Sequence, residues 1–271
     1  MKLFLEGKCN MNSLAGQKIY PQSPRRRRRG LRALVMVIVI LVLLGGAGYL
    51  SHSAFSKTTV LPQQSFPVSG SPTLVINGPV GSVKIHSGNS DSIVINVTEH
   101  SGLFGTPNTT DVTVAPAPGS NDIVVLTGDG GSIFDQKSVD LDIALPATSN
   151  IRAVLPTGSL DINGISGQMN LQMNSGALHF ENGTIEGQSI FKNDAGEITF
   201  DGAIAPNGTY DFGNNAGTIN LTLPSHSSFV LNASTGLGKV HNDFGSNTVG
   251  SHPSSQVHVH TDAGSVNIHE K

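Results

Sequence analysis

Val257-His258-Val259-His260 sets two imidazoles two residues apart, and in an extended strand that spacing sends both rings to one face. Two imidazoles on one face begin a divalent-metal site, which needs a further protein ligand to close. Asp262, His252 and His241 could supply it. The same pattern also describes a polar outer face opposite buried Val257 and Val259, and this is the reading adopted. No metal is expected, and His258 and His260 are the only metal candidates retained.

Asp140, Asp142, Asp161, Asp194, Glu197 and Asp201 could act in pairs as general acid and base on a glycan. Acidic residues on an exported β protein more often cap turns and carry solubilising charge, and basic residues are too sparse here to clamp an anionic substrate. The chain has no GxSxG, no HExxH and no phosphate-cradling loop. Its single cysteine, Cys9, excludes an internal disulfide framework or a Cys-based zinc site. The expectation is no enzyme, no catalytic residue and no cofactor.

The elements that must carry these side chains are strands. Of 271 residues 32 are glycine, 13% are charged and none is tryptophan, which excludes a coiled coil or a charge-rich disordered chain and fits a turn-rich β protein. Period-two segments run over 73–77, 82–86, 92–98, 111–115, 122–127, 139–145 and 150–155. Beyond them the sequence repeats itself. NSGALHF from Asn174, DAGEITF from Asp194, NAGTINL from Asn215 and DAGSVNI from Asp262 share one form, with looser copies at Gly81, Gly158 and Gly238.

Gly158, Gly176, Gly196, Gly217, Gly238 and Gly264 are separated by 18, 20, 21, 21 and 26 residues. A unit of about 20 residues cannot bury its own apolar face and must stack on its neighbours. The glycines are expected at corners with positive φ, and the Asn or Asp two residues earlier is expected to cap the turn or adopt the left-handed region. Two columns are expected in the core. Two residues after each glycine stand Val83, Leu160, Leu178, Ile198, Ile219, Val240 and Val266; four residues after stand Ile85, Ile162, Phe180, Phe200, Leu221 and Ile268, with Asn242 the exception. Between them Lys84, Asp161, His179, Thr199, Asn220, His241 and Asn267 form a polar, outward column. The fold class expected is all-β, a single-stranded parallel β-solenoid or β-helix.

The N-terminus differs sharply. Nine Lys and Arg precede residue 33 against one acid, Glu6, while the remainder carries a net charge of −11. Ala33 to Leu50 is free of charge and as a helix spans roughly 27 Å, near the ~30 Å hydrocarbon core. The positive-inside rule then places the N-terminus in the cytoplasm and all that follows outside. A cleaved signal peptide is the rival reading, although its apolar region is usually only about 7 to 15 residues. The five arginines from Arg25 to Arg29 read as a topology signal and anionic-lipid contact, since no nucleic-acid-binding module stands beside them. The expected organisation is a basic cytoplasmic tail (1–30), a transmembrane helix (31–50) in contact with lipid, a Ser/Pro-rich tether (51–72) and the β-solenoid domain (73–271).

Residues 139–183, followed by DAGEITFDG and NAGTINLTLP, resemble the adhesin-like bacterial β-repeat family DUF4097, related in style to GIN-domain heads. The resemblance covers about residues 73–271. It implies an exported, often single-pass-anchored β-solenoid of the cell envelope, with no catalytic residues to transfer. The function expected is an adhesion, binding or structural scaffold at the cell membrane, with an extracellular glycan or protein as ligand. Alternatives are an envelope-stress or sensory accessory and a carbohydrate-active β-helix enzyme. The chain ends three residues after Ile268, so the last strand is expected either to pair with another copy or to be covered by the preceding loop.

Overall fold

A computed structural model of the chain describes residues 57–78, 81–101, 112–128 and 137–271. The tail and transmembrane helix expected over 1–50 lie outside the described residues, among which no helix is long and apolar enough to cross a membrane. Every regular element described is a strand. In chain order these are β1 (Lys57–Val60), β2 (Gln64–Pro67), β3 (Thr73–Asn77), β4 (Ser82–Ser87), β5 (Ser92–Ser101), β6 (Val112–Pro116), β7 (Asp122–Thr127), β8 (Lys137–Leu145) and β9 (Asn150–Asn163). They continue as β10 (Met169–Ile185), β11 (Gln188–Ile204), β12 (Thr209–Leu223), β13 (Phe229–Leu237), β14 (Val240–Asn242), β15 (Thr248–Val249), β16 (Ser255–Ala263) and β17 (Val266–Glu270).

The repeat units are long bent strands in parallel register. Gly158 pairs with Gly176, Gly176 with Gly196 and Gly196 with Gly217, so backbone pairing runs through the bend and each of these units is one continuous strand. All six repeat glycines from Gly158 to Gly264 have positive φ, between 128° and 153°. The expected core columns are continuous across the ladder, as in Leu160–Leu178–Ile198–Ile219–Val266, and these side chains are at most 1% exposed. Val240 is the exception at 41%, because β14 pairs with β17 alone at the margin of the sheet.

Phenylalanines fill the broadest part of the core. Phe180 stacks on Phe200 at 5.0 Å and Phe191 on Phe212 at 4.8 Å, and the two stacks meet edge to face through Phe191 and Phe200 at 5.8 Å. Such pairs add about 0.5–1.5 kcal/mol to the burial of their area. Tyr210 is buried beside them, donates its hydroxyl proton to the Ala205 carbonyl at 2.7 Å, and has its pKa pushed up to about 12, chiefly by burial.

Corner carbonyls are satisfied from inside the stack. Asn193 Nδ2 donates to the Gly176 carbonyl and Asn214 Nδ2 to that of Gly196, both at 2.8 Å, while Thr235 Oγ1 donates to Gly264 at 3.0 Å. These residues stand three positions before each glycine. The Asn and Asp two positions before it, expected to cap the turn or turn left-handed, are exposed, and none of them has positive φ. Asn214→Ala removes the donor to Gly196 and the acceptor for the Ala216 amide. It is expected to cost about 1–3 kcal/mol, read as a lower urea midpoint, with Asn214→Thr recovering part of the loss.

Three features depart from a single-stranded parallel winding over 73–271. First, β5 runs antiparallel to β8, and β6 to β7; the latter pair is a hairpin, which needs only a short turn where a parallel neighbour needs a long crossover. Second, residues expected as a tether contain β1 and β2, both antiparallel to β5. Third, the coil formed by β16 and β17 inserts between β12 and the earlier β13 and β14. Ile268 therefore has a strand on either side, and the margin of the sheet passes to β14 and to β15, which covers only the first residues of β13.

Candidate functional site

The outer face of β11, β12 and β16 carries a trough of about 610 Å³. Its origin is a missing side chain. On β12 the inward residues are Tyr210, Phe212 and Asn214, so Asp211, Gly213 and Asn215 face outward. Register sets Lys192 on one side of Gly213 and His260 on the other, and Ile190 and His258 on either side of Asp211. Two strand spacings separate the flanking side chains, roughly 9.6 Å, and glycine leaves the space between them open. A Cβ at Gly213 would meet only Lys192 Cγ, at 3.7 Å.

His260, Asn215 and Asp194 around the trough are braced. His260 Nε2 lies 2.9 Å from Asp262 Oδ1 and its Nδ1 lies 2.9 Å from Ser234 Oγ. Asn215 Nδ2 donates to Asp194 Oδ1 at 2.9 Å. Bonds of this kind hold rotamers in place before a ligand arrives. Formal charge among the lining residues is one lysine against Asp194 and Asp211, a mildly acidic surface with donors and acceptors interleaved.

His258 and His260 do share the outer face of β16, half-buried and exposed respectively. His260 is engaged by Asp262 and Ser234, and no third ligand joins the pair: among the described residues no group of three or more His, Cys, Asp and Glu could hold a metal ion. The carboxylates singled out in the sequence disperse. Asp140 and Asp142 line a smaller groove of about 300 Å³ with Lys84 and Asn96, where His100 Nε2 lies 2.9 Å from Asp140 and His86 Nε2 lies 3.4 Å from Asp142. Asp161 sits in the outward column between Lys84 and His179. Glu197 accepts from Asn220 at 2.7 Å near a corner, and Asp201 pairs with Lys271. Only Asp194 belongs to the trough.

Sequence reasoning missed Lys192, Asp211, Gly213 and Asn215 as a group. The available signal was Gly213 itself, a glycine outside the corner series on an outward position of an aromatic-rich strand.

A second electrostatic cluster lies where β14, at the margin, pairs with β17. Asp243 is approached by His241 Nε2 at 2.8 Å and His269 Nδ1 at 2.9 Å. The hydrogen bond from His269 is the largest influence on its carboxyl; desolvation opposes it, and the charges of His241 and His269 with the hydrogen bond from His241 add to the lowering, so the group is held below the usual carboxylate range. A carboxyl with a folded-state pKa below its unfolded one stabilises the fold above the unfolded value and loses that contribution as pH falls through the folded one. Between about pH 5 and pH 3, wild type is expected to lose more thermal stability than Asp243→Asn; parallel losses would contradict the pairing.

No family model and no curated protein matches this chain. Among solved structures it is similar to a "putative cell adhesion protein" from Clostridium sporogenes ATCC 15579, at 15% identity over 79% of this chain and 100% of that one, with a TM-score of 0.46. It is also similar to a "putative adhesin" from Bacteroides fragilis NCTC 9343, at 14% identity over 78% and 97% with a TM-score of 0.38. A "putative lipid binding protein" from Parabacteroides distasonis ATCC 8503 follows at 5% identity over 81% and 95%, with a TM-score of 0.24. Two of these three carry names of adhesion proteins. The trough rests on this chain's own residues.

Proposed function

We propose that this chain is an adhesion or binding scaffold of the cell envelope: a β-solenoid outside the cell, held by one membrane-spanning segment at residues 31–50 with the N-terminus in the cytoplasm. The Gly213 trough is the observation that carries the reading, because a stacked β ladder presents it on a stiff face with His260, Asn215 and Asp194 on its rim already hydrogen-bonded. The charge-free segment and the basic residues before it support the anchor.

Full-length protein expressed in a non-adherent host tests both parts. Cells carrying wild type are expected to attach to at least one surface in a panel of glycans and matrix proteins, and cells carrying Gly213→Val at equal surface level are expected to detach. Equal attachment by the two would remove the trough from the binding surface. Release of a shortened product into the medium would remove the anchor.

A further inference from the structure

The trough favours one chemical class of ligand, and this inference rests on the reading of that face as the binding surface. We infer that it takes a neutral pyranose, as a terminal or internal unit of a glycan.

Size comes first. A volume of about 610 Å³ falls in the range of small-molecule sites, roughly 300–1,000 Å³, and suits one or two sugar rings. A protein partner would need an interface of roughly 1,000 Å² or more, centred on aromatic or large apolar anchors. The outward positions across this face carry no Phe, Tyr or Trp. Asn170, Ile190, Asp211, His258 and Asn232 form one row, and Gln172, Lys192, Gly213, His260 and Ser234 the next.

Charge comes second. Every sugar hydroxyl both donates and accepts, so its best counterpart is an alternation of acceptor-only and donor groups. Asp194 and Asp211 accept; Lys192 and the second N–H of the Asn215 amide donate; His258 presents its ring nitrogens, while both nitrogens of His260 are taken up by Asp262 and Ser234. Uronates and sialic acids would meet two carboxylates against a single lysine, so acidic sugars are disfavoured. The floor, formed by the Gly213 backbone and flanked by half-buried Ile190, accommodates the C–H face of a ring. With no Phe, Tyr or Trp platform in the outer rows, binding per site is expected at about millimolar concentration, and many copies on one cell would supply avidity.

Full-length protein in detergent micelles is titrated with methyl glycosides of mannose, galactose and glucose, with glucuronate and sialic acid, and with matrix proteins, using saturation-transfer NMR for the sugars. At least one neutral glycoside is expected to bind, with a loss of about tenfold or more in Gly213→Val and in the double variant Asp194→Asn, Asp211→Asn. Gly213→Val is expected to melt as wild type does, because the new side chain enters open space; the double variant serves if it does not. Binding of acidic sugars alone, or of a matrix protein alone, with loss in Gly213→Val would overturn the ligand class and leave the trough as the binding surface. Neutral-sugar binding undiminished in both variants would overturn the trough itself. No sugar bound by wild type at about 10 mM would overturn the inference, while the cell-attachment assay still judges the scaffold reading.

Discussion

Ile198→Asp abolishes cooperative folding of the stack. Ile198 is fully buried between Leu178 and Ile219 in the ladder, two residues from the stacked Phe200. Removing its side chain from the core forfeits about 1.5–3 kcal/mol, and a carboxylate left without a partner among aliphatic and aromatic groups costs several kcal/mol more, or must take up a proton. Together these approach the whole net stability of a domain, about 5–15 kcal/mol. The damage spreads because β11 is the shared neighbour of β10 and β12. Far-UV circular dichroism is expected to show a broad, low-temperature transition or none. Thr199→Asn, one residue along on the outward column, is expected to stay within about 0.5 kcal/mol of wild type. Normal melting of Ile198→Asp would refute the register.

Gly196→Ala is expected to cost at least about 3 kcal/mol, a fall in melting temperature of roughly 6–12 °C for a domain of this size. Two effects combine. Gly196 has a φ of 133°, a region where a side chain adds about 1–3 kcal/mol of strain. A Cβ there would also lie well under 3.0 Å from the Gly176 carbonyl oxygen, the acceptor that Asn193 serves from within. Backbone cannot swing aside as a flexible side chain can, so the corners of β10 and β11 must separate. Gly213→Ala is the internal comparison: same residue change, same ladder, but ordinary strand conformation and space above it, so its effect is expected within about 0.5–1 kcal/mol. Equal destabilisation by the two would mean that the corner geometry is not what selects glycine.

Alternation read from the sequence located the core well on the downstream side of each corner, and on the upstream side it assigned only Val257 and Val259, which are buried. In β11, Phe191 and Asn193 point inward, Asp194 to Glu197 are all exposed, and Ile198 and Phe200 point inward again. The bend occupies four consecutive outward positions, so counting in twos across it reverses parity. Asp194 and Asn215, expected from their turn chemistry to cap the bends, lie outward, and Asn193 and Asn214 bond the corner carbonyls from within. The histidine pair at 258 and 260 was legible as a shared face, yet its neighbours were not, since Asp211 and Lys192 reach it through strand pairing across 47 and 68 positions of chain.

The sequence by itself determined the β class, the glycine corners, both aliphatic columns and the polar column between them, because these depend on local conformation and on the inside–outside alternation of a strand. Tertiary structure alone decided which repeat unit lies against which. Any unit with an aliphatic inner face and a free backbone edge can pair with any other in register, so a repeat period carries no information about strand order. The insertion of β16 and β17 beside β12 is such a decision, and it is the one that brings His258 and His260 across from Lys192 and opens the trough over Gly213.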